Sequence, residues 1–403
     1  MNFSEQDIDF LLSPEAIRQR AGVLFDLTCE GKTNFDFHED KFDEVVDFVI
    51  ETINKNYPDL NIPFHSRWGH FKAAGVDRVS DFEKRIAHLD PLEQVRAKLD
   101  LVITSVLLDA GAGPKWKYTE NGKEIARSEG LGVASYYMFC AGAFSNDKEN
   151  PYRADANKLE LLSELELEKH FQVSDKNPLV GVSGRVELLQ NLGSALKLNK
   201  EIFFEGRPGN ILDYLLDNKT DNQIEAEDIL RAVLDGLGPI WPGRISLGET
   251  NMGDVWRHEL VGSGIDGLIP FHKLSQWLTY SLIEPIAESG VEVVGVENLT
   301  GLAEYRNGGL LLDKQLITLK DEINYKKKHK PDSEVIIEWR ALTIHLLDKI
   351  GSAVQKKLQK TPQEFPLAKV LEGGTWWAGR FAAMALREDG SPPLKLDSDG
   401  TVF

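Results

Sequence analysis

The sequence predicts a mainly α-helical fold with minor β structure. Three observations support this: two long apolar stripes of helical period, few strand signals, and no internal repeat, low-complexity tract or long Gly/Ser linker. From Val95, the apolar positions Leu99, Val102, Ile103, Val106 and Leu107 share one helical face, and Gly111-Ala112-Gly113-Pro114 stops that helix. A second stripe runs through Val335, Trp339, Leu342, Leu346, Ile350, Val354 and Leu358, with Asp332 and Ser333 as its N-terminal caps. Shorter helices are predicted over 40–54, 157–169, 185–195, 226–235, 274–286 and 376–386. Strands are predicted at 291–294 and 316–319, pairing with each other as a small hairpin or edge sheet. The Pro- and Gly-rich stretch from Gly236 to Gly253 reads as a long irregular connection, and such connections inside compact domains are often functional. The elements group into an N-terminal helical extension over 1–90 and a helical domain over 91–403, together one compact unit.

Composition excludes several function classes. At 403 residues and 42% hydrophobic, the chain buries a large core. A net charge of −18 opposes a nucleic-acid backbone, and the basic run Lys326-Lys327-Lys328-His329-Lys330 reads as a solvated loop ahead of Pro331. Two cysteines, Cys29 and Cys140, form no disulfide framework and point to a reducing compartment. The N-terminus has no basic start and no apolar stretch, and no window approaches the ~20 apolar residues of a membrane span. The expectation is a soluble cytoplasmic chain that acts on a small molecule, without nucleic acid or membrane as partner. None of these features bears on oligomeric state.

Charged groups among apolar neighbours mark the candidate chemistry. Glu304-Tyr305-Arg306 lies between Leu299/Leu302 and Leu310-Leu311-Leu312, and Glu338 and Arg340 lie within the second helical stripe. Such charges need either partners or a substrate. An internal Glu/Arg ion pair tying a loop to a helix explains the same residues without function. Asp109 falls in the last turn of its helix, where the macrodipole opposes an anion by roughly 0.3–1 kcal/mol, so another group must hold it there. A hydrogen bond to the Gly111/Gly113 turn is one explanation. Ligand recognition is the other, with Trp116 and Tyr118 beyond the turn to stack on a planar group. Lys273 begins a predicted helix. His65 and His70 are five residues apart, with His258 and His272 downstream, but no His-Glu-x-x-His or Cys-x-x-Cys accompanies them, so no metal site or cofactor is predicted. Walker, Gly-x-Ser-x-Gly and complete dinucleotide signatures are also missing.

Two long blocks carry a resemblance. Phe64-His65-Ser66-Arg67-Trp68-Gly69-His70-Phe71-Lys72-Ala73-Ala74-Gly75-Val76-Asp77-Arg78 is one. The other is the tail from Glu372-Gly373-Gly374-Thr375-Trp376-Trp377-Ala378-Gly379-Arg380, through Gly390-Ser391-Pro392-Pro393, to Ser398-Asp399-Gly400-Thr401-Val402-Phe403. Both resemble the uracil catabolism protein 4 family, and the likeness spans nearly the whole chain. It implies a role in a uracil-degrading route in which the pyrimidine ring is opened to a ribosylurea-type intermediate and nitrogen is recovered as urea.

A more distant resemblance is to queuosine-nucleotide N-glycosidases, the queuosine salvage proteins related in fold to helical DNA glycosylases. Five motifs carry it in order: Asp109 with Trp116 seven residues on, Ala134-Ser135-Tyr136-Tyr137, His272-Lys273-Leu274-Ser275-Gln276, Leu302-Ala303-Glu304-Tyr305-Arg306, and Glu334-Val335-Ile336-Ile337-Glu338-Trp339-Arg340. Glu304 stands where that family has an aspartate, and small residues fill most of the interval between Asp109 and Trp116. The resemblance implies a helical DNA-glycosylase-like fold and a metal-independent N-glycosidase with a smaller leaving group, such as urea. Glu304 and Lys273 are the implied catalytic residues. Asp109, Trp116, Tyr136, Tyr137, Tyr305, Arg306, Glu338 and Arg340 are the implied substrate-binding set, with Lys273, Arg306 or Arg340 for a 5′-phosphate. Two alternatives remain beside this: an amidohydrolase or deaminase acting through His65, His70 or His258 on a ring-opened pyrimidine nucleotide, and a non-catalytic scaffold of the same pathway.

Overall fold

The computed structural model describes residues 3–109, 111–241 and 244–397. The terminal block Ser398 to Phe403, and Pro242 and Gly243 within the Gly236–Gly253 connection, lie outside the described residues. The fold is mainly α, and among the described residues its strands form only two-stranded pairs. The helices that bear on the site are α1 (Pro14–Cys29), α2 (Phe42–Asn56), α3 (Pro91–Leu107), α4 (Arg127–Cys140), α5 (Val182–Leu198), α6 (Lys273–Ala287), α7 (Tyr305–Asp313), α8 (Glu334–Leu358) and α9 (Trp376–Leu386).

The chain divides into two interrupted units. The first consists of Met1–His65, Gly243–Gln276 and Gly295–Val402; the second is built from Ser66–Pro242 and Trp277–Val294. This division does not follow the line at residue 90, because the N-terminal helices bury their apolar faces on the C-terminal helix α8.

In the first unit, α8 packs on α1, α2 and α7. Its residues from Val335 to Ile344 are buried without a break, so this half of the helix is surrounded on all sides. Glu338 and Arg340 therefore enter the core with it. Ser333 stands at its N-cap position, but its hydroxyl donates to the Lys330 carbonyl (2.8 Å) and does not cap the helix. α1 begins conventionally, with the Ser13 hydroxyl accepting from the Ala16 N–H (3.2 Å) and Pro14 in the first turn. A π-helical turn, Leu371–Thr375, leads into α9, which packs on α7.

In the second unit, α3 follows the predicted stripe. Asp90 caps it by accepting from the Glu93 N–H (3.0 Å), and α4 and α5 pack on it. The helix predicted over 157–169 is broken into Ala156–Glu160 and Glu164–His170, because Ser163 caps a new helix by accepting from the Glu166 N–H (3.2 Å). The predicted strand pair is corrected. Ile317–Leu319 runs antiparallel to Phe35–Phe37, and Glu292–Val294 runs parallel to Gln223–Glu225. Each strand spans three residues, so tertiary contacts of its flanking helices choose the partner. The long connection is also less irregular than expected, carrying the hairpin Ser246–Leu247/Thr250–Asn251. Among the described residues, no helix is long and apolar enough to cross a membrane.

Gly379 sets how closely α9 approaches the start of α7. A Cβ there would sit 2.1 Å from the Arg306 carbonyl oxygen. Gly379→Ala is therefore expected to lower the thermal midpoint, at a cost of about 1–3 kcal/mol. Gly184→Ala, at an exposed helical glycine with open space around it, serves as the control and is expected to be neutral or stabilising. Equal midpoints for both variants would show that the close approach carries no constraint.

Candidate active site

Six of the ten predicted site residues fall in the first unit: Lys273, Glu304, Tyr305, Arg306, Glu338 and Arg340. Glu304 is the N-cap of α7. Its Oε2 accepts from the Arg306 N–H (2.8 Å) and its Oε1 from the Asn307 N–H (2.6 Å). Both oxygens are thus fixed by the helix they start, at the end where the macrodipole favours an anion. Arg306 donates Nη1 to the Gly390 carbonyl (2.8 Å) and lies over the Tyr305 ring. The Asn307 carboxamide is buried between the Leu302 carbonyl and the Thr375 hydroxyl, joining α7 to the turn before α9.

Glu338 and Arg340 are both 1% exposed, and each has charged or polar partners. Glu338 Oε2 accepts from the Asn34 backbone N–H (2.8 Å) and side chain (3.0 Å), and its Oε1 meets His258 Nε2 (3.2 Å). Arg340 makes a two-pronged pair with Asp254, at 2.8 and 2.7 Å. Among the described residues, Glu304 and Glu338 thus pair with no arginine, and the simple Glu/Arg ion pair is not what these residues form. Asp254 is the hub. It also accepts the Trp256 indole N–H (2.6 Å) and the Lys273 backbone N–H (3.0 Å), which fixes the start of α6. Burial pushes the Asp254 carboxyl upward, but Arg340 and the donated hydrogen bonds outweigh it and hold the group below the usual carboxylate range. Sequence reasoning missed Asp254, which directly follows the stretch Gly236 to Gly253 taken as an irregular connection. Its signal was an acid set directly before Val255-Trp256, both buried.

Asp109, Trp116, Tyr136 and Tyr137 fall in the second unit. Asp109 pairs with Arg67 Nη1 at 3.0 Å, and the Arg67 side chain is 0% exposed. Arg67 also donates to the Ser105 hydroxyl (2.7 Å) and carbonyl (3.2 Å) on α3. Gly132 on α4 makes room for it, since a Cβ there would lie 2.9 Å from His70 and 3.4 Å from the guanidinium carbon. Arg185 on α5 donates to the Leu108 (3.1 Å) and Gly111 (3.2 Å) carbonyls. Burial lowers the Arg185 pKa to about 10, with Asp109 opposing. Two buried arginines thus answer the unfavourable dipole at the end of α3, for which the sequence left a turn hydrogen bond and ligand recognition open.

The aromatics of this unit have structural partners. Trp116 donates its indole N–H to the Phe171 carbonyl (2.9 Å), and the Tyr136 hydroxyl donates to Asp81 (2.6 Å). Tyr137 donates to Glu120, which also holds Arg78.

The model of a family described as a protein of unknown function, DUF1688, matches residues 10–403. The chain belongs to this family. It is 39% identical to "Uracil catabolism protein 4" of Lachancea kluyveri, over 99% of each chain. It is 40% identical to "Protein urg3" of Schizosaccharomyces pombe (strain 972 / ATCC 24843), over 99% of this chain and 100% of that one.

The blocks that carried the resemblance have clear structural roles in this member of the DUF1688 family. His65 Nδ1 meets Glu372 at 2.7 Å, joining the first block to the tail block. Arg67 holds Asp109, and Arg78 donates to the Phe71 (3.1 Å) and Ala73 (3.0 Å) carbonyls. His70 Nδ1 lies 3.1 Å from Arg67 Nη1. Among the described residues, no group of three or more His, Cys, Asp or Glu side chains could hold a metal ion. The basic run is exposed except for His329, which joins a short strand pair with Leu396.

The Asp254–Arg340 clamp has a pH signature. Because the Asp254 pKa is lowered in the folded state, its contribution is present above the unfolded value of about 3.9 and is lost as pH falls through that value and below it. Asp254→Asn is expected to cost about 3–5 kcal/mol near neutral pH, since it leaves Arg340 buried without its counter-charge. It should also flatten the acid limb of stability below about pH 4. Thermal unfolding across pH checks this, and parallel acid limbs for the variant and the wild type would rule out the clamp as the source.

Proposed function

We propose that this protein acts in uracil catabolism as an N-glycosidase that hydrolyses ribosylurea or its 5′-phosphate to urea and ribose or ribose phosphate. The full-length likeness to a protein named for uracil catabolism supports the pathway. The observation that carries the chemistry is Glu304, a partly buried carboxylate without an ion pair, held by two backbone N–H groups of its own helix.

Cleavage of the C1′–N bond sends its electron pair to the urea nitrogen and leaves positive charge on the ribose. A carboxylate fixed near that carbon stabilises the oxocarbenium-like transition state or takes a proton from the attacking water. The water oxygen then bonds to C1′, and a proton ends on the departing urea nitrogen. Lys273, at the start of α6 and anchored by Asp254, is the candidate for delivering that proton. Asp109, Trp116, Tyr136 and Tyr137, which the same resemblance offers for substrate binding, fall in the second unit and hold the partners described above, while Tyr305 adjoins Glu304 in the first. Glu338 orients Asn34 and His258. Arg306 has donors beyond the one given to Gly390, which suits a 5′-phosphate, whereas both Nη groups of Arg340 are held by Asp254.

The test is to assay urea from purified protein incubated with ribosylurea and with its 5′-phosphate. Glu304→Gln keeps the shape and removes the charge, so turnover is expected to fall about 10²- to 10⁴-fold while folding loses about 1 kcal/mol from the cap. No urea from either substrate with wild-type protein, or wild-type turnover in Glu304→Gln, would overturn the assignment.

Phosphate recognition has its own expected outcome. One charge-assisted contact contributes about 1.5–3 kcal/mol, so the phosphorylated substrate should be preferred by roughly ten- to hundredfold in kcat/KM. Arg306→Met should erase that preference. Equal efficiency on both substrates would leave Arg306 a purely structural donor to Gly390.

A further inference from the structure

We infer that Gln276 recognises the ureido end of the substrate, its carboxamide oxygen accepting a ligand N–H and its NH₂ donating to the ligand carbonyl. This rests on the function proposed above and extends it to a residue outside the catalytic set.

The first observation is an orphaned group. Gln276 is 0% exposed, and neither Oε1 nor Nε2 has a hydrogen-bond partner. Buried side-chain amides are normally satisfied, and one left bare on both atoms calls for an explanation. The surroundings are not poor in good pairings, since Asp254 and Glu338 in the same unit each have both oxygens filled. Packing alone would be served by methionine or leucine of similar size.

The second observation is that the turn carrying Gln276 is fixed in advance. Its backbone N–H donates to the His272 carbonyl (2.9 Å). His272 itself sits at φ +45°, a left-handed conformation unusual for a side-chain-bearing residue, and its Nε2 meets the Leu11 carbonyl at 2.9 Å. The next N–H, from Lys273, is taken by Asp254. Gln276 is the third residue after Lys273, so on the helix they lie on one face, about 5–6 Å apart at Cβ.

The chemistry of the orphan names its ligand. A carboxamide offers one neutral acceptor and one neutral donor side by side, and buried away from water it is complementary to a group that offers the reverse. A phosphate only accepts, and an ammonium only donates. A ureido group presents N–H and C=O together, as does the imide edge of an intact pyrimidine. The ureido group is assigned here because the bond proposed to break is the one to urea, beside Lys273.

The experiment uses the full chain and Gln276→Met, an apolar replacement of similar length. Three quantities are measured: the unfolding temperature without ligand, its rise with ribosylurea or with uridine, and kcat/KM for urea release. The variant is expected to unfold at the same or a higher temperature than wild type, because two unsatisfied buried groups are gone. It should lose the ribosylurea-dependent rise, and kcat/KM should fall at least tenfold. A lower unfolding temperature with unchanged ribosylurea binding would overturn the inference and make Gln276 a structural residue satisfied by internal water. A Gln276-dependent rise with uridine but not with ribosylurea would overturn the ureido assignment in favour of the pyrimidine edge. Equal urea release by both proteins would overturn the inference while leaving the proposed function standing. Wild-type protein that binds ribosylurea and releases no urea would overturn the function, and the binding arm alone would then decide the role of Gln276. No binding and no release by wild type would overturn both.

Discussion

The Asp254 carboxylate is the constraint on which the first unit depends. Helix α8 is buried along its N-terminal half, so Arg340 is carried into the core wherever the helix docks. A guanidinium there is tolerated only with a counter-charge in matching geometry, and Asp254 supplies it through two parallel hydrogen bonds. The same carboxylate takes the Trp256 indole N–H and the first N–H of α6. One acid thus registers a short strand, the long central helix and the helix that carries Lys273 and Gln276.

Two further acids stand at opposite helix ends, and their surroundings differ accordingly. Glu304 sits at the N-terminus of α7, where the backbone itself provides the donors and no cation is needed. Asp109 sits past the C-terminus of α3, where the backbone presents carbonyls, and the fold brings Arg67 and Arg185 to it. A carboxylate held by backbone alone has a charge that is not already neutralised. That is the electrostatic condition for stabilising a cation that develops on a sugar.

Legibility in the sequence followed the range of each interaction. The stripe from Val95 to Leu107 and the stripe from Val335 to Leu358 were readable because helix periodicity is local, and both became helices close to the predicted bounds. Lys273 was readable as a helix start, and Glu304 as an acid at an apolar border. The partners of 292–294 and 317–319 were not readable, since three-residue strands carry no register signal of their own. α1 and α4 lacked a one-sided pattern: both helices have weak amphipathic contrast, and α4 is buried over most of its length. Asp254 was hidden for the same reason that makes it effective, because its partner Arg340 is 86 residues away.

By itself the sequence determined the helical class, the two main helical stripes and the set of charges that cannot be left bare in a core, because periodicity and desolvation act within a few residues. Membership of the DUF1688 family was also legible in its long blocks. Tertiary structure decided which partner each charge received: Asp254 for Arg340, Arg67 for Asp109, backbone N–H groups for Glu304, and none for the carboxamide of Gln276. Pairing across long stretches of chain depends on how the helices dock, and the energy of a buried charge is settled only when its counter-charge is in place.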